Sequence, residues 1–167
     1  MNDESRHEIA QALVRWYDRN KRQMPWRDID DPYRIVLSEF MLQQTQVDTV
    51  IPYFERFISL FPTVKSLALA DQQDVLKAWE GLGYYSRARN LHKAAQQVSN
   101  DLQGVIPNTY EALQSLSGIG PYCAAAIASI AFDKPVPVVD GNVIRVFTRF
   151  WGIEEDIRHP KVRKDLF

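Results

Sequence analysis

The feature that most constrains the fold of this chain is a short segment at residues 116–123, LSGIGPYC. Gly118 and Gly120, separated by one residue, allow a tight turn and a close backbone approach to a ligand. Pro121, directly afterwards, favours the first turn of a helix. The segment therefore predicts a hairpin between two helices, and the free amides at the start of the second helix can bind a phosphate. A purely structural helical corner is the competing interpretation.

Apolar residues recur at helical spacing along almost the whole chain, which predicts an all-α fold. Pro135 and Pro137 oppose a strand at 136–139, and His159-Pro160 is read as a last turn. The predicted helices cover residues 5–20, 32–42, 47–60, 64–69, 71–79, 86–102, 109–116, 121–131 and 140–151.

Composition limits the classes of protein and site. The 167 residues contain one cysteine, which excludes an internal disulfide framework and any cluster held by several thiolates of this chain. A secretion signal and a membrane-length apolar run are both missing from the sequence, so we expect a cytoplasmic protein without a membrane partner. The net charge of −1 weighs mildly against nucleic-acid binding, which usually shows a basic surplus.

Two acidic residues are candidates for chemistry. Asp140 follows an apolar run and is expected to cap a helix, a role compatible with catalysis because the helix dipole keeps the acid ionised. Glu39 lies in the apolar stretch LSEFML, where burial would raise its pKa and make it a proton donor near neutral pH. Taken on spacing alone, a solvated helix face is the favoured position of Glu39. The three histidines show no metal-ligand spacing.

Polar and aromatic residues outside the helices are candidates for base contacts. The run QQTQ at 43–46 is typical of a surface loop, although neutral amides can also bond to base edges. Tyr84 and Tyr85 could stack on bases, although buried tyrosines are the commoner case. A phosphate-binding hairpin beside an acid indicates chemistry on a nucleic acid. The hairpin could also hold a monovalent cation through the backbone carbonyls of Gln114, Leu116 and Ile119.

Together these segments resemble the adenine DNA glycosylases of the MutY type, within the helix-hairpin-helix glycosylase superfamily. Besides the hairpin, the matching blocks run in family order over nearly the whole chain: MPWR at 24–27, DPY at 31–33, LSE at 37–39, MLQQTQV at 41–47, GLGYYSRARNLH at 81–92 and VVDGNV at 138–143. The LQQTQV and GLGYY blocks are highly specific to this branch.

The resemblance implies base excision repair of double-stranded DNA, with hydrolytic removal of adenine mispaired with 8-oxoguanine or guanine. By resemblance, Glu39 protonates the flipped adenine at N7. Asp140 stabilises the positive charge that develops at the sugar, electrostatically or through a transient covalent bond. Tyr122 and Asn142 match positions that support this transition state. Strand-cleaving relatives carry a lysine where this chain has Tyr122, which cannot form a Schiff base, so we expect a monofunctional enzyme.

The resemblance also implies which residues contact the DNA. Gln44 and Tyr84 match residues that insert into the duplex around 8-oxoguanine, with Thr45 and Leu82 nearby. Thymine glycosylases acting on G·T mismatches share the tyrosine at 122 but lack the LQQTQ block, and they are the alternative family. The full implied set in contact with substrate or DNA is Arg22, Trp26, Arg27, Gln43, Gln44, Thr45, Gln46, Leu82, Tyr84, Gly118 and Gly120.

The family fold has two helical half-domains with the active site between them. Residues 25–137 match the six-helix half-domain that contains the hairpin, while 1–24 and 138–167 match parts of the second, which is incomplete here. Family members continue with further helices and a four-cysteine loop that binds a 4Fe-4S cluster, whose ligands are absent from this chain.

Incompleteness of the second half-domain has a physical consequence. The apolar face of the first helix, including Leu13 and Trp16, is expected to lack its usual cover. We expect the chain to form a homodimer that covers this face. A non-catalytic DNA-binding fragment and a helical scaffold are the alternative interpretations of the isolated chain.

Overall fold

The computed structural model describes residues 3–27, 29 and 31–156, and every regular element in that part of the chain is an α-helix. The predicted all-α class is therefore confirmed, and the turn expected at His159-Pro160 lies outside the described residues. Within the described part no helix is long and apolar enough to cross a membrane. The helices are α1 Asp3–Asn20, α2 Pro32–Leu42, α3 Val47–Leu60, α4 Val64–Leu69, α5 Gln72–Ala78, α6 Ser86–Asp101, α7 Tyr110–Gln114, α8 Pro121–Phe132 and α9 Gly141–Phe150.

Capping side chains begin these helices where the sequence predicts them. The carboxylate of Asp31 accepts a hydrogen bond from the Tyr33 amide at 3.0 Å, and Pro32 follows in the first turn of α2. Thr63 and Ser66 form a reciprocal capping box on α4. The bounds of α2, α3 and α4 match the prediction, whereas α7 ends two residues early, a difference usual at helix ends.

The core forms around α2, which packs against α3, α6 and α8. Residues 35–41 of α2 are all buried, so this helix has no solvated face. Six consecutive small or apolar residues of α8, 123–128, are buried against its neighbours. Large aromatic side chains fill the other side of the core, where Phe57 and Trp79 make an edge-to-face contact at 6.0 Å between ring centroids.

Helix α1 lies outside this core. Most of its side chains are exposed, and Leu13, Val14 and Trp16 are each more than half exposed. Tyr17 connects α1 to the rest of the described structure, because the guanidinium of Arg27 lies 5.3 Å from the centre of its ring and donates a hydrogen bond to its hydroxyl. The first helix therefore exposes several large apolar side chains on its outer surface.

The predicted hairpin joins α7 to α8. Gly118 has a φ of +78°, in the left-handed region that glycine adopts without strain. The amide of Ser117 donates a hydrogen bond to the Gln97 side chain of α6 at 2.8 Å. A Cβ added at Gly118 would lie 2.6 Å from the Asn90 Cβ and 2.9 Å from a ring carbon of Phe40. The hairpin is thus pressed against both α6 and α2.

We expect Gly118→Ala to lower the free energy of unfolding by about 3 kcal/mol, because it combines a left-handed backbone with overpacking. Gly120→Ala is the matched control, since Gly120 has a φ of −83° and no atom within 4 Å of an added Cβ. Its loss should stay below about 1 kcal/mol. Urea unfolding followed by circular dichroism measures both, and equal losses for the two variants would contradict this account.

Candidate active site

A cavity of about 420 Å³ opens beside the middle of α2. Its size falls within the range of small-molecule sites, and its wall mixes apolar side chains with a few polar groups. Three residues predicted from the resemblance, Arg22, Trp26 and Arg27, lie on this wall together with Glu39. The remaining wall comes from α1, α2, α3, α8 and the segment before α2, through Tyr17, Met24, Ile29, Ile35, Ser38, Leu42, Val47 and Ile130.

Glu39 is the acid on this cavity, and its side chain is only 9% exposed. Burial raises the pKa of its carboxyl from the ordinary 4.5 to about 7. The group is therefore present both as acid and as base near neutral pH, the condition that general acid catalysis requires. The solvated face favoured for Glu39 on spacing alone is wrong, because α3, α6 and α8 pack around α2.

Asp140 caps the N-terminus of α9, which follows α8 and Tyr122 in the chain. One of its carboxylate oxygens accepts a hydrogen bond from the Val143 amide at 2.7 Å, so the predicted cap is present. The other oxygen accepts one from the Asn142 side-chain amide at 2.9 Å. Arg145 in turn donates to the Asn142 side-chain oxygen at 3.1 Å. This chain of contacts fixes the direction of the Asp140 carboxylate.

Tyr122 connects the two acids electrostatically. Burial raises the pKa of its phenol to about 12, and the negative charges of Glu39, Asp140 and Cys123 add to that effect. Both carboxyl groups therefore lie close to one side chain at the start of α8, although they are far apart along the chain. Tyr122 remains a neutral phenol at physiological pH and keeps 43% of its surface exposed.

The predicted DNA-contacting loops lie after α2 and before α6. Gln44 and Tyr84 are both exposed and both have a positive φ, of 57° and 48° respectively. Gln43 instead turns inward, where its side-chain amide donates to the Cys123 sulfur at 3.3 Å. Thr45 is half-buried, and its hydroxyl donates to the Gln43 carbonyl at 3.4 Å. Gln46 is exposed and precedes α3.

The structure does not bring every predicted residue to an accessible surface. The Leu82 side chain lies in the hydrophobic core, its amide donates to the Trp79 carbonyl at 3.1 Å, and its carbonyl accepts a hydrogen bond from Arg87 at 3.1 Å. Gly118 and Gly120 are exposed on the hairpin. The carbonyl of Leu116 accepts a hydrogen bond from the Ile119 amide at 3.1 Å, and the monovalent cation site stays a prediction.

Iron–sulfur chemistry does not fit the residues of this chain. Its single cysteine, Cys123, is buried in α8 and cannot supply the four thiolates of a cluster. Among the residues that the structure describes, no group of three or more metal-ligating side chains occurs.

Sequence reasoning missed two residues. Tyr17 lines the cavity from α1. Arg87 is buried between the two loops, where it contacts backbone carbonyls of both. Helical spacing could have identified Arg87, because it lies one turn before the buried Leu91 on the apolar face of α6.

The chain is also similar in sequence to known proteins. The family described as HhH-GPD superfamily base excision DNA repair protein matches residues 37–167. The chain is 49% identical over 153 residues to a protein of Rattus norvegicus named adenine DNA glycosylase, covering 86% of this chain and 30% of that protein. It is 40% identical over 160 residues to an adenine DNA glycosylase of Buchnera aphidicola subsp. Acyrthosiphon pisum, covering 95% of this chain and 46% of the relative.

A solved structure shows the same fold. The chain superposes on a thermostable thymine-DNA glycosylase with a TM-score of 0.87 at 26% identity, over 98% of this chain and 77% of that one. The chain spans between about a third and a half of the length of the two curated relatives named above.

We expect Glu39→Gln to stabilise the protein at alkaline pH. Because the folded-state pKa of Glu39 is raised to about 7 from 4.5, the native protein loses stability as pH rises between these values. Removing the acid should therefore raise the free energy of unfolding by about 3 kcal/mol at pH 8. At pH 5 the gain should fall below about 1 kcal/mol.

Urea unfolding at pH 5 and pH 8 measures this difference. Glu55→Gln is the control, since Glu55 is an exposed carboxylate on α3 and should give no such pH-dependent gain. A Glu39→Gln variant whose stability relative to the parent is the same at both pH values would show that Glu39 is not buried as an acid.

Proposed function

The chain belongs to the HhH-GPD superfamily of base excision DNA repair proteins, and we propose that it hydrolyses the N-glycosidic bond of adenine mispaired with 8-oxoguanine or guanine in double-stranded DNA. One observation carries the proposal: a carboxyl group with a pKa near 7 faces a cavity, and this group and the hydrogen-bonded carboxylate of Asp140 both raise the pKa of Tyr122. Relatives named adenine DNA glycosylase support the choice of base.

In the proposed first step, the adenine leaves the base stack and enters the cavity, because its reactive bond cannot be reached inside a duplex. Protonated Glu39 transfers its proton to N7 of the base. The bond between C1′ and N9 then breaks, and its electron pair moves to N9, so that adenine leaves as a neutral molecule. Trp26 offers a flat surface at the cavity wall, and Arg22 and Arg27 offer hydrogen-bond donors.

In the proposed second step, the carboxylate of Asp140 stabilises the positive charge left on the sugar. It acts electrostatically or through a transient covalent bond, as paired carboxylates do in other glycosidases. Water adds to C1′ and releases a proton, which restores Glu39. Asn142 keeps Asp140 in position by donating a hydrogen bond to the carboxylate oxygen that does not cap α9.

Tyr122 accounts for the proposed lack of strand cleavage. Strand cleavage by this route starts when an amine of the protein forms a Schiff base with the sugar, and a phenol cannot form one. Tyr122 instead supports the site as a neutral group close to both carboxylates. The proposed enzyme is therefore monofunctional.

DNA binding in this proposal depends on local contacts, because the net charge of the chain is −1. The hairpin amides around Gly118 and Gly120 would approach a phosphate, with or without a monovalent cation on the nearby carbonyls. Gln44 and Tyr84 would enter the duplex at the base opposite the adenine, and Thr45 and Gln46 would contact its edges. Since the substrate is chromosomal, the proposed site of action in a bacterium is the cytoplasmic nucleoid.

Thymine excision from G·T mismatches is the second candidate, favoured by the fold shared with a thymine-DNA glycosylase. The raised pKa of Glu39 argues for adenine instead. A proton donor on the cavity serves a leaving base that has a basic ring nitrogen, as adenine has at N7. Thymine has no such nitrogen and must leave as an anion. A substrate panel with A·8-oxoguanine, A·G and G·T duplexes separates the two.

We expect the chain to release free adenine from an A·8-oxoguanine duplex under single-turnover conditions. Glu39→Gln and Asp140→Asn should each lower the rate constant by about 100-fold or more, because each removes a group that acts in the transition state. Asparagine caps helices as well as aspartate does, so Asp140→Asn should stay folded. The parent rate should fall as pH rises above about 7, where Glu39 loses its proton.

Glu55→Gln is the control for the loss of a surface carboxylate and should keep the parent rate. Borohydride should trap no covalent complex between parent protein and DNA. Mismatch-specific binding without adenine release would instead support the non-catalytic DNA-binding fragment. Absence of binding to any duplex would leave only the helical scaffold.

We also infer that a second copy of the chain covers the outer face of α1. Leu13, Val14 and Trp16 are each more than half exposed, and exposed apolar side chains grouped on one helix can mark an interaction site. Covering it would gain about 25 cal/mol for each Å² of apolar area removed from water.

Light scattering during size exclusion should therefore show a dimer at high protein concentration. Val14→Glu should shift the chain to a monomer, because it places a charge within the apolar face. Lys65→Glu on the exposed surface of α4 is the control and should leave the dimer intact. A parent chain that stays monomeric at the highest soluble concentration would contradict the inference.

A further inference from the structure

Arg87 of α6 is a buried cation whose hydrogen-bond partners are backbone carbonyls. Its side chain is 5% exposed, and burial lowers its pKa. Its Nε–H has no hydrogen-bond partner among the described residues. The guanidinium also lies 5.3 Å from the centre of the Trp79 ring and 5.4 Å from that of Tyr84. Burying a charge costs free energy, so the contacts of Arg87 must offset that cost.

The guanidinium joins two loops that are distant in sequence. One terminal nitrogen donates to the carbonyls at the end of α2, those of Phe40 at 3.2 Å, Met41 at 2.7 Å and Gln43 at 2.6 Å. The other donates to the carbonyls of Leu82 at 3.1 Å and Gly83 at 3.2 Å. The last carbonyls of a helix lack partners within it, so Arg87 satisfies α2 as well as the loop before α6.

The bonds fall at particular peptide units. The carbonyl of Gln43 belongs to the unit that precedes Gln44, and the carbonyl of Gly83 belongs to the unit that precedes Tyr84. Gln44 and Tyr84 are two of the four non-glycine residues with positive φ in the described part of the chain. Such a backbone costs about 1 kcal/mol or more per residue and persists where surrounding contacts fix it. The Arg87 side chain thus fixes the peptide unit that precedes Gln44 and the one that precedes Tyr84.

We propose that Arg87 is a positioning residue that sets the spacing and direction of Gln44 and Tyr84, so that the two side chains enter the duplex as one rigid pair. This inference rests on the proposed function, because it concerns how the same site selects mismatched DNA. A side chain that enters a base stack meets resistance from the stacked bases. Because Arg87 holds the backbone of both loops, that resistance is transferred to α6 and α2 in the core, and the loops keep their positions.

Arg87→Lys tests the proposal, because lysine keeps the charge but cannot span both loops with one planar group. We expect the dissociation constant for an A·8-oxoguanine duplex to rise about tenfold, the equivalent of one charged hydrogen bond. The dissociation constant for a fully paired duplex should not change. Arg89→Lys, an exposed arginine on the same helix, is the control and should leave both constants unchanged.

A double-mutant cycle separates positioning from general stability. In a Gln44→Ala, Tyr84→Ala background the pair is already removed, so adding Arg87→Lys should change mismatch binding less than about twofold. Binding is measured at low temperature with sucrose, where the folded state is favoured, and is referred to the folded fraction from circular dichroism. An equal loss in both backgrounds, or an equal loss on paired DNA, would overturn the role assigned to Arg87.

A measurement on the unmutated chain covers the case in which Arg87→Lys does not fold. The guanidinium signals of Arg87 in nitrogen-15 spectra should shift when mismatched duplex is added and stay in place with paired duplex. Signals that respond to neither duplex, although mismatch binding is present, would overturn the inference alone. A parent protein that does not prefer mismatched DNA would overturn the proposed function, and this inference with it.

Discussion

The placement of α2 within the core is the constraint on which the rest of the structure depends. A helix surrounded by α3, α6 and α8 has no solvated side, so any acid in its middle must be desolvated. Desolvation raises the pKa of Glu39 into the neutral range without help from a neighbouring charge. The fold therefore produces, by packing alone, a carboxyl group that can donate a proton near neutral pH, and stability is lost at the place where the chemistry is proposed.

The second acid is held by a different physical device. Asp140 lies at a helix terminus, where backbone and side-chain donors orient a carboxylate that still faces solvent. The contrast between a buried acid on one helix and a hydrogen-bonded carboxylate at the end of another suits two similar groups to the two different roles proposed for them. Tyr122, at the beginning of α8, lies close enough to both carboxylates that their charges raise its pKa.

Local chemistry made the helices predictable, whereas the site depends on contacts between distant segments. Caps such as Asp31, Thr63 and Asp140 are short-range features, so helix bounds could be read from the chain. The burial of Glu39 could not, because it results from the packing of α2 against distant parts of the chain. The core position of Leu82 also follows from tertiary packing, not from its neighbours in the GLGYY block. Arg87 had a readable spacing signal, but the carbonyls it contacts come from another part of the chain.

The wall of the cavity has a consequence for how this fold can diversify. Much of the wall facing Glu39 comes from residues 22–27 and 29, which lie outside the helices. Trp26 and Met24 are tied to the core, whereas Arg22, Arg27 and Ile29 lie outside it and can be exchanged without repacking it. Their replacement would change the opening of the cavity and leave Glu39 behind it in place, which separates the evolution of recognition from that of the proposed acid chemistry.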